Sequence, residues 1–201
     1  GIEAFKWNEK NGSEHVDLPS LVEEFATQKV EWTVNILIAG IGWKWHDGSD
    51  LTDSIMLASL DGARKEVTLL SIPRDLYVSY PKKLWAERIN ALYDLWKRRN
   101  VGIQYLAAKV SEITGQTIDH YLVIDFAGFK KVIDLLWGIS IDVPEDLTDR
   151  EYPDNNWGYE IFSVKQWPQI FNGETALKYA RSRHSTSDFD RSERQQLIVK
   201  S

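Results

Sequence analysis

Residues 120–143, "HYLVIDFAGFKKVIDLLWGISIDV", contain the pattern that decides the fold. Two short β-rich segments, HYLVI and ISIDV, lie on either side of a segment whose apolar residues recur at helical spacing. The repeating apolar residues of that helix are Phe126, Phe129, Ile133 and Leu136, and Asp125 precedes them as a candidate N-terminal cap. The order strand, helix, strand predicts helices packed on a β-sheet.

The segments on both sides of this unit extend the same pattern. Upstream, "TVNILIAG" reads as a strand buried on both faces, and "DSIMLASL" and "EVTLLSI" flank the turn "DGARK" as a hairpin, which makes the sheet mixed. "GIQYLAAKVSEITG" predicts a helix that ends at Gly115, with an apolar stripe of Ile103, Leu106, Ala107, Val110 and Ile113. Downstream, "NGETALKYARSR" and "FDRSERQQLIVKS" predict two more helices joined by "HSTSD". The sequence therefore predicts an α/β domain with helices on a central mixed β-sheet.

Composition limits the possible functions. The chain has 201 residues, 43% of them hydrophobic, which is enough for one domain with a substantial core. It has no cysteine, which excludes disulfides, thiolate metal sites and cysteine nucleophiles. The net charge of −6 argues against broad binding of nucleic acid, so we expect no nucleic-acid partner. Its longest apolar runs are about half the ~20 residues that a membrane helix requires.

A local cluster of cations contrasts with this acidic balance. The stretch "YARSRHSTSDFDRSERQQ", residues 179–196, holds four arginines and a histidine. If its second half is helical, Asp188, Arg191 and Gln195 share one face, with Arg194 at the margin. Arg181 and Arg183 could simply complement a helix dipole, and the whole cluster could be a salt-bridge lattice with neighbouring carboxylates. The third interpretation is an anion site, because the planar guanidinium suits phosphate.

Other charged residues follow predicted strands. Asp47, Asp50 and Asp53 lie in the loop after the first strand, where three carboxylates could hold a hard cation or form a solvated acidic loop. The segment "SIPRD" places Arg74 and Asp75 just past a buried strand, where open α/β sheets bind ligands. The segment "ERIN" adds Arg88 and Asn90, which could also be ordinary surface groups.

Seven blocks of the sequence, in order, resemble the LytR-CpsA-Psr family: "NILIAG", "LTDSIML", "VTLLSIPRD", "RINALY", "YLVIDFAGFKKVIDLLWGISIDVP", "FNGETALKYARSRH" and "DFDRSERQQ". The resemblance covers residues 33–201 and implies a three-layer α/β sandwich with a central mixed β-sheet flanked by helices. It also implies an extracytoplasmic location, with residues 1–32 as an extension or linker after a membrane anchor that this sequence lacks. Family domains usually continue past the Arg-Gln-Gln helix, so residues 33–201 are expected to lack a C-terminal part.

The resemblance implies a function and partners. Family members are thought to move glycopolymers such as wall teichoic acid, capsule polysaccharide or arabinogalactan from a polyprenyl diphosphate carrier to peptidoglycan. It therefore implies a glycopolymer–peptidoglycan phosphotransferase with Mg²⁺, or Mn²⁺, as cofactor. The alternatives are a non-catalytic polyprenyl-phosphate sensor or envelope regulator, which the glycine at position 42 favours because family members often have a second metal-binding aspartate there.

The same resemblance assigns roles to residues of this sequence. The metal ligand is Asp53, with Asp50 or Asp47 replacing the aspartate absent at Gly42. The implied catalytic residues are Arg74, Asp75, Arg181, Arg183, Asp188 and Arg191, with Asp75 as the first candidate for the general base. The implied substrate-binding residues are Arg88, Asn90, Arg194 and Gln195. We expect Arg74, Arg181, Arg183 and Arg191 to converge on one pocket near Asp53. Phe126, Phe129, Ile133, Leu136 and Trp137 are candidates for an apolar tunnel or for ordinary core.

The chain contains nine tryptophans, which is unusual. At five of these positions the resemblance favours glycine: Trp43, Trp45, Trp96, Trp137 and Trp167. One hypothesis is that the gene carries UGA codons at these positions, which the organism reads as glycine and which the printed sequence translates as tryptophan. The alternative is that ordinary tryptophans line an apolar pocket.

Overall fold

The computed structural model describes residues 33–42, 51–79, 86–97, 100–154, 158–182 and 188–201. The chain divides into two compact units. Of the described residues, the first unit contains 33–39 and 51–123, and the second contains 40–42 and 124–201. The predicted α/β fold with a central mixed sheet and helices is confirmed.

The first unit is built on the predicted hairpin. Its elements are β1 (Thr33–Ile41), β2 (Thr52–Asp61), β3 (Glu66–Ser71), β4 (Tyr77–Ser79), β5 (Ala86–Arg88), a 3₁₀ turn (Ile89–Ala91), α1 (Leu92–Lys97), α2 (Gly102–Thr114) and β6 (His120–Asp125). The last two residues of β1 and of β6 belong to the second unit. The strands β3, β2, β1 and β6 are neighbours in that order in one sheet, and β2 pairs antiparallel with β3. The strands β4 and β5 form a separate antiparallel pair.

The core of the first unit lies between this sheet and its two helices. Leu37 of β1 and Ile55 of β2 pack with Leu106 and Val110 of α2, and all four are buried. The helix α2 ends at Gly115, whose φ of 70° places it in the left-handed region, as the sequence predicts. Ile113, which was predicted on the apolar stripe, is 43% exposed, so that part of the prediction is wrong. The stripe ends one turn earlier because Ile113 lies in the last turn of the helix, past the core.

The second unit contains the remaining elements. They are α3 (Phe126–Leu135), β7 (Ile139–Asp142), β8 (Leu147–Pro153), β9 (Tyr159–Val164), β10 (Pro168–Phe171), α4 (Gly173–Arg181) and α5 (Asp188–Lys200). The strand β7 pairs antiparallel with β10, and β8 with β9. Ile133, Ile141, Phe171 and Tyr179 belong to the core of this unit.

The strand β8 contains a β-bulge. Asp149 pairs with Phe162, but the next paired residue of β8 is Tyr152, which faces Glu160. Three steps along β8 therefore match two steps along β9, so β8 has one extra residue. As a result Asp149 and Tyr152 are both buried, although strict alternation would place them on opposite faces.

The helix α3 is fixed at both ends by its own sequence. The carboxylate of Asp125 accepts a hydrogen bond from the Gly128 N–H at 2.7 Å, which confirms the predicted cap. At the other end Trp137 donates to the Asp134 carbonyl at 3.1 Å, and Gly138 donates to the Ile133 carbonyl at 3.0 Å. These two bonds form a Schellman motif, in which Trp137 occupies the left-handed position that usually holds glycine.

Trp137 has φ of 62° and is 93% exposed. Its indole therefore does not line an apolar pocket, and the exposed Leu136 does not belong to the core stripe predicted for α3. Trp167 is also exposed, whereas Trp96 stacks on Tyr105 with ring centroids 4.1 Å apart. Trp43 and Trp45 lie outside the described residues.

The helix α4 begins in close contact with α3. Asn172 caps it by accepting from the Thr175 N–H, and the Gly173 N–H donates to Oδ1 of Asp134 at 2.8 Å. A Cβ atom at Gly173 would collide with the backbone of Lys130, so only glycine fits this crossing. In the part of the chain that the structure describes, none of the helices has the length and apolar character needed to span a membrane.

Candidate functional site

Four charged side chains of the first unit form a continuous run of ion pairs. Nη1 of Arg74 donates to Oδ1 of Asp53 at 2.6 Å, and Nε of Arg74 lies 3.5 Å from Oδ2 of Asp75. Nη1 of Arg88 donates to Oδ1 of Asp75 at 3.1 Å. Four of the predicted site residues are therefore brought together, with signs alternating from Asp53 to Arg88.

The elements of the first unit explain this arrangement. Asp53 is the second residue of β2, and Arg74 and Asp75 follow the end of β3, whose partner in the sheet is β2. The N–H of Asn90 donates to the Arg74 carbonyl at 3.2 Å, which ties the Arg74 turn to the 3₁₀ turn. The Asn90 carbonyl in turn accepts from the buried Thr52 hydroxyl at 3.2 Å. Asn90 is itself buried, so the contacts that the structure gives it are structural.

The guanidinium of Arg88 is stabilised by its strand partner. Arg88 on β5 pairs with Tyr77 on β4, and its guanidinium carbon lies 6.0 Å from the centre of the Tyr77 ring. A hydrogen bond to the Tyr77 side chain, together with the charges of Tyr77 and Asp75, raises the pKa of Arg88. Arg88 is exposed, so it presents a permanent positive charge to solvent.

The geometry also bears on the expected metal ion. Asp53 and Asp75 offer carboxylate oxygens, the ligand type that Mg²⁺ prefers, and the Asp53 side chain is 42% exposed. Among the described residues no group of three or more His, Asp or Glu side chains is placed to hold a metal ion. Asp47 and Asp50 lie outside those residues. Asp53 thus fits a metal by donor type, and further oxygen ligands would have to come from other groups.

In the second unit Arg181, at the C-terminal end of α4, lies between two aromatic side chains. Its guanidinium carbon is 4.3 Å from the centre of the Phe126 ring, and its Nη1 donates to the Tyr152 hydroxyl at 3.0 Å. Burial raises the pKa of Tyr152, and the positive charge of Arg181 opposes that rise. The neutral phenol therefore accepts from a cation that also stacks on an aromatic face.

Arg194 has a different environment from Arg181. It is buried, and it donates from Nε to the Tyr179 carbonyl at 3.1 Å and from Nη2 to the Ser182 carbonyl at 2.6 Å. Burial lowers the pKa of the Arg194 guanidinium, and the negative charge of Asp149 is among the charges that oppose this. Gln195 donates in the same way to the Ala180 carbonyl at 3.3 Å. Through these bonds, Arg194 and Gln195 tie α5 to the end of α4.

The remaining predicted residues are only partly described. Arg191 is buried in α5, and Asp188 is the first residue of that helix. Arg183 lies outside the described residues. Arg74 and Arg181 belong to different units, and the expected convergence of the arginines near Asp53 stays a prediction.

Sequence reasoning missed Tyr152, Asp149 and Ser182. The hydroxyl of Ser182 donates to Oδ2 of Asp149 at 2.6 Å, and both residues are buried. Ser182 lies between Arg181 and Arg183, so its position in the arginine cluster was a usable signal. For Asp149 and Tyr152 the sequence contains no such signal, because both lie on a strand that the sequence does not predict.

A family model and curated relatives of this chain agree with one another. The model of the LytR_cpsA_psr family matches residues 3–201. The regulatory protein MsrR of Staphylococcus aureus is 33% identical over 174 residues, which is 85% of this chain and 48% of MsrR. The polyisoprenyl-teichoic acid–peptidoglycan teichoic acid transferase TagV of Bacillus subtilis is 34% identical over 152 residues, which is 74% of this chain and 37% of TagV. The chain thus spans half or less of the length of these curated relatives.

Solved structures show the same fold. The crystal structure of B. subtilis TagV matches with a TM-score of 0.68 and 32% identity, over 85% of this chain and 63% of that one. YwtF (TagT) with bound octaprenyl pyrophosphate lipid matches with a TM-score of 0.64 and 22% identity, over 84% of this chain and 62% of that one. A family model that covers almost the whole chain agrees with both relatives and with the fold. The chain belongs to the LytR-CpsA-Psr family.

Proposed function

We propose that this protein is a phosphotransferase that moves a glycopolymer from a polyprenyl diphosphate carrier to peptidoglycan. The observation that supports this most strongly is the alternating run Asp53, Arg74, Asp75 and Arg88, in a chain 34% identical over 152 residues to the transferase TagV. Such a run holds guanidinium groups in fixed positions before a ligand arrives. Preorganised cations are what a transition state with growing phosphate charge requires.

The reaction is a displacement at phosphorus. A sugar hydroxyl of peptidoglycan attacks the phosphorus attached to the glycan, and a new P–O bond forms. The bond from that phosphorus to the bridging oxygen breaks, and polyprenyl phosphate leaves with the electron pair. Asp75 is the candidate base that takes the hydroxyl proton, because its carboxylate lies between the two guanidinium groups that would bind the diphosphate.

Each arginine has a separate task in this scheme. Arg74 and Arg88 are proposed to neutralise diphosphate oxygens, and Arg181 is proposed as a further arginine that binds the diphosphate. Arg183 and Arg191 are proposed to add further contacts. Arg194 and Gln195 stabilise the contact between α5 and the end of α4 by donating to the carbonyls of Ser182 and Ala180. The Asn90 N–H stabilises the Arg74 turn by donating to the Arg74 carbonyl.

A divalent cation, Mg²⁺ or Mn²⁺, is part of the proposal. Asp53 would hold it, with Asp47 or Asp50 as further ligands, and the ion would supply charge neutralisation at the diphosphate. Asp53 in this structure is bonded to Arg74, so metal binding at Asp53 would release a guanidinium N–H for the phosphate. The reaction is proposed to take place outside the cytoplasmic membrane, where the carrier and peptidoglycan meet, with an N-terminal helix as the anchor of the whole protein.

A transfer assay tests this function. The protein is incubated with a synthetic polyprenyl diphosphate glycan and peptidoglycan fragments, with Mg²⁺ or with a chelator, and the joined product is measured. We expect Arg74→Ala to lower the transfer rate by about a hundredfold or more, because it removes a donor to developing charge. The matched control is Arg64→Ala, which removes an equal charge from the exposed β2–β3 turn.

The outcomes separate the parts of the proposal. No transfer by the unaltered protein, in the presence of Mg²⁺ and both substrates, would refute the enzymatic function. Equal losses in Arg74→Ala and Arg64→Ala would show that general charge, and not the site, matters. Full activity in the presence of the chelator would refute the role proposed for the metal ion, but not the role proposed for the arginines.

A second candidate function is a sensor that binds polyprenyl phosphates without transferring them. It is favoured by the name of MsrR, a regulatory protein 33% identical over 174 residues. A sensor would bind the polyprenyl diphosphate with and without Mg²⁺ and give no joined product.

A further inference from the structure

The bulged strand β8 directs two buried polar side chains toward the C-terminal end of α4. Without the extra residue, Tyr152 would face the side opposite to Asp149. With the extra residue, Asp149 contacts Ser182 and Tyr152 contacts Arg181. Arg181 and Ser182 are consecutive residues at the C-terminal end of α4. One irregularity in the strand thus serves two neighbouring contacts.

The Asp149 contact fixes the backbone at this point. Ser182 donates its hydroxyl to Asp149 at 2.6 Å, and its carbonyl accepts from Arg194 at 2.6 Å. The buried carboxylate and the buried guanidinium therefore hold the same residue from two sides. The chain direction just after Arg181 is set by these bonds.

The Tyr152 contact fixes the side chain. Arg181 has several rotatable bonds, and a guanidinium at a helix end samples many rotamers. Here its face packs on Phe126, and one N–H of Nη1 is bonded to the Tyr152 hydroxyl. The hydroxyl takes one of the five guanidinium N–H groups, and the edge formed by Nε and Nη2 keeps the fork geometry that suits a phosphate.

The geometry points to Tyr152 as a positioning residue that holds the Arg181 guanidinium ready for the diphosphate. This inference rests on the proposed function, in which Arg181 binds diphosphate oxygens. Tyr152 does not touch the substrate in this scheme. It acts by restricting Arg181 before binding, so that less conformational freedom is lost on binding.

A double-mutant cycle on binding tests the inference. The probe is geranylgeranyl diphosphate, with binding measured by calorimetry on the unaltered protein, Tyr152→Phe, Arg181→Ala and the double variant. Tyr152→Phe keeps the ring and removes the hydroxyl. We expect it to weaken binding about three- to tenfold in the unaltered background and to have no further effect once Arg181 is alanine.

The control is Tyr159→Phe, which removes a hydroxyl from an exposed position on the neighbouring strand β9 and should leave binding unchanged. A purely structural loss would weaken binding by the same factor in both backgrounds, so the cycle separates positioning of Arg181 from a loss of stability. Thermal unfolding of each variant measures that loss of stability directly. Phe126→Leu is a second variant on the other face of Arg181, and it should show the same dependence on Arg181.

Two failures are distinguishable. If Arg181→Ala binds the probe as tightly as the unaltered protein, Arg181 has no diphosphate role, and both that part of the proposed function and this inference fall. If Arg181→Ala weakens binding but Tyr152→Phe does not, or acts equally in both backgrounds, only the inference falls.

Discussion

Replacing Trp137 by glycine should stabilise the protein, although it deletes the largest side chain. Trp137 has φ of 62°, and a side chain in the left-handed region costs about 1–2 kcal/mol. Its indole is 93% exposed, so the apolar burial that it contributes to the fold is worth less than ~0.5 kcal/mol. Glycine has more conformational freedom in the unfolded chain, and this reduces the gain in the free energy of unfolding by about 0.5–1 kcal/mol. The net gain is about 0.5 kcal/mol.

The decisive comparison is with Trp137→Ala, which removes the same indole but keeps Cβ. Urea unfolding followed by circular dichroism should show the glycine variant more stable than the alanine variant by about 1 kcal/mol. Within an ordinary helix the order is reversed, since alanine is favoured by about 1 kcal/mol. An alanine variant as stable as the glycine variant would refute the assignment of strain to this position.

The same position bears on the hypothesis that UGA is read as glycine. A Schellman motif with an exposed tryptophan at its left-handed residue is what that hypothesis predicts for position 137. The gene decides the matter: UGG codons at positions 43, 45, 96, 137 and 167 would eliminate it.

Three further predictions concern buried and capping groups. Asp125→Ala removes the cap of α3 and should lower the free energy of unfolding by about 1 kcal/mol in a urea titration. Ser182→Ala leaves the buried Asp149 carboxylate without this donor and should cost about 1–3 kcal/mol, against a smaller loss for Thr148→Ala on the exposed side of β8. Burial raises the pKa of Tyr152 and of Tyr179 above the ordinary 10.0, so their contribution to stability is complete below pH 10 and is lost as the pH rises through the folded-state values. Thermal unfolding from pH 8 to 11 should show this loss, and Tyr152→Phe should reduce it; an unchanged slope would contradict the assignment.

The sequence predicts those parts of the fold that depend on local pattern. The β2–β3 hairpin, the Asp125 cap and the Gly115 helix end each follow from a few adjacent residues. The β8–β9 hairpin does not, because the bulge interrupts the alternation and the segment is rich in acidic residues and ends in proline. The strand exists because tertiary packing of Leu147, Asp149 and Tyr152 outweighs weak local preference.

The candidate site divides in the same way. That Arg74 and Asp53 lie close together follows from the ends of two paired strands, which the sequence places correctly. That Arg194 is buried against the Tyr179 and Ser182 carbonyls could not be predicted, because residue spacing along one helix does not reveal which backbone groups another helix leaves unbonded. The spacing placed Arg194 at the margin of the α5 face, whereas the fold places it inside.

Because α4 crosses α3 closely at Gly173, a small change at the start of α4 would move its C-terminal end. The nine residues of α4 span about 13 Å from that crossing to Arg181 at the far end. A side chain at position 173 would push the helix start away from Lys130, and a tilt of only about 5° would move the Arg181 end by about 1 Å. Displacements of that size are enough to reduce catalysis by about a hundredfold when they misplace a reacting group. The position of the Arg181 guanidinium at one end of this helix therefore depends on the absence of a Cβ atom at Gly173, at the other end.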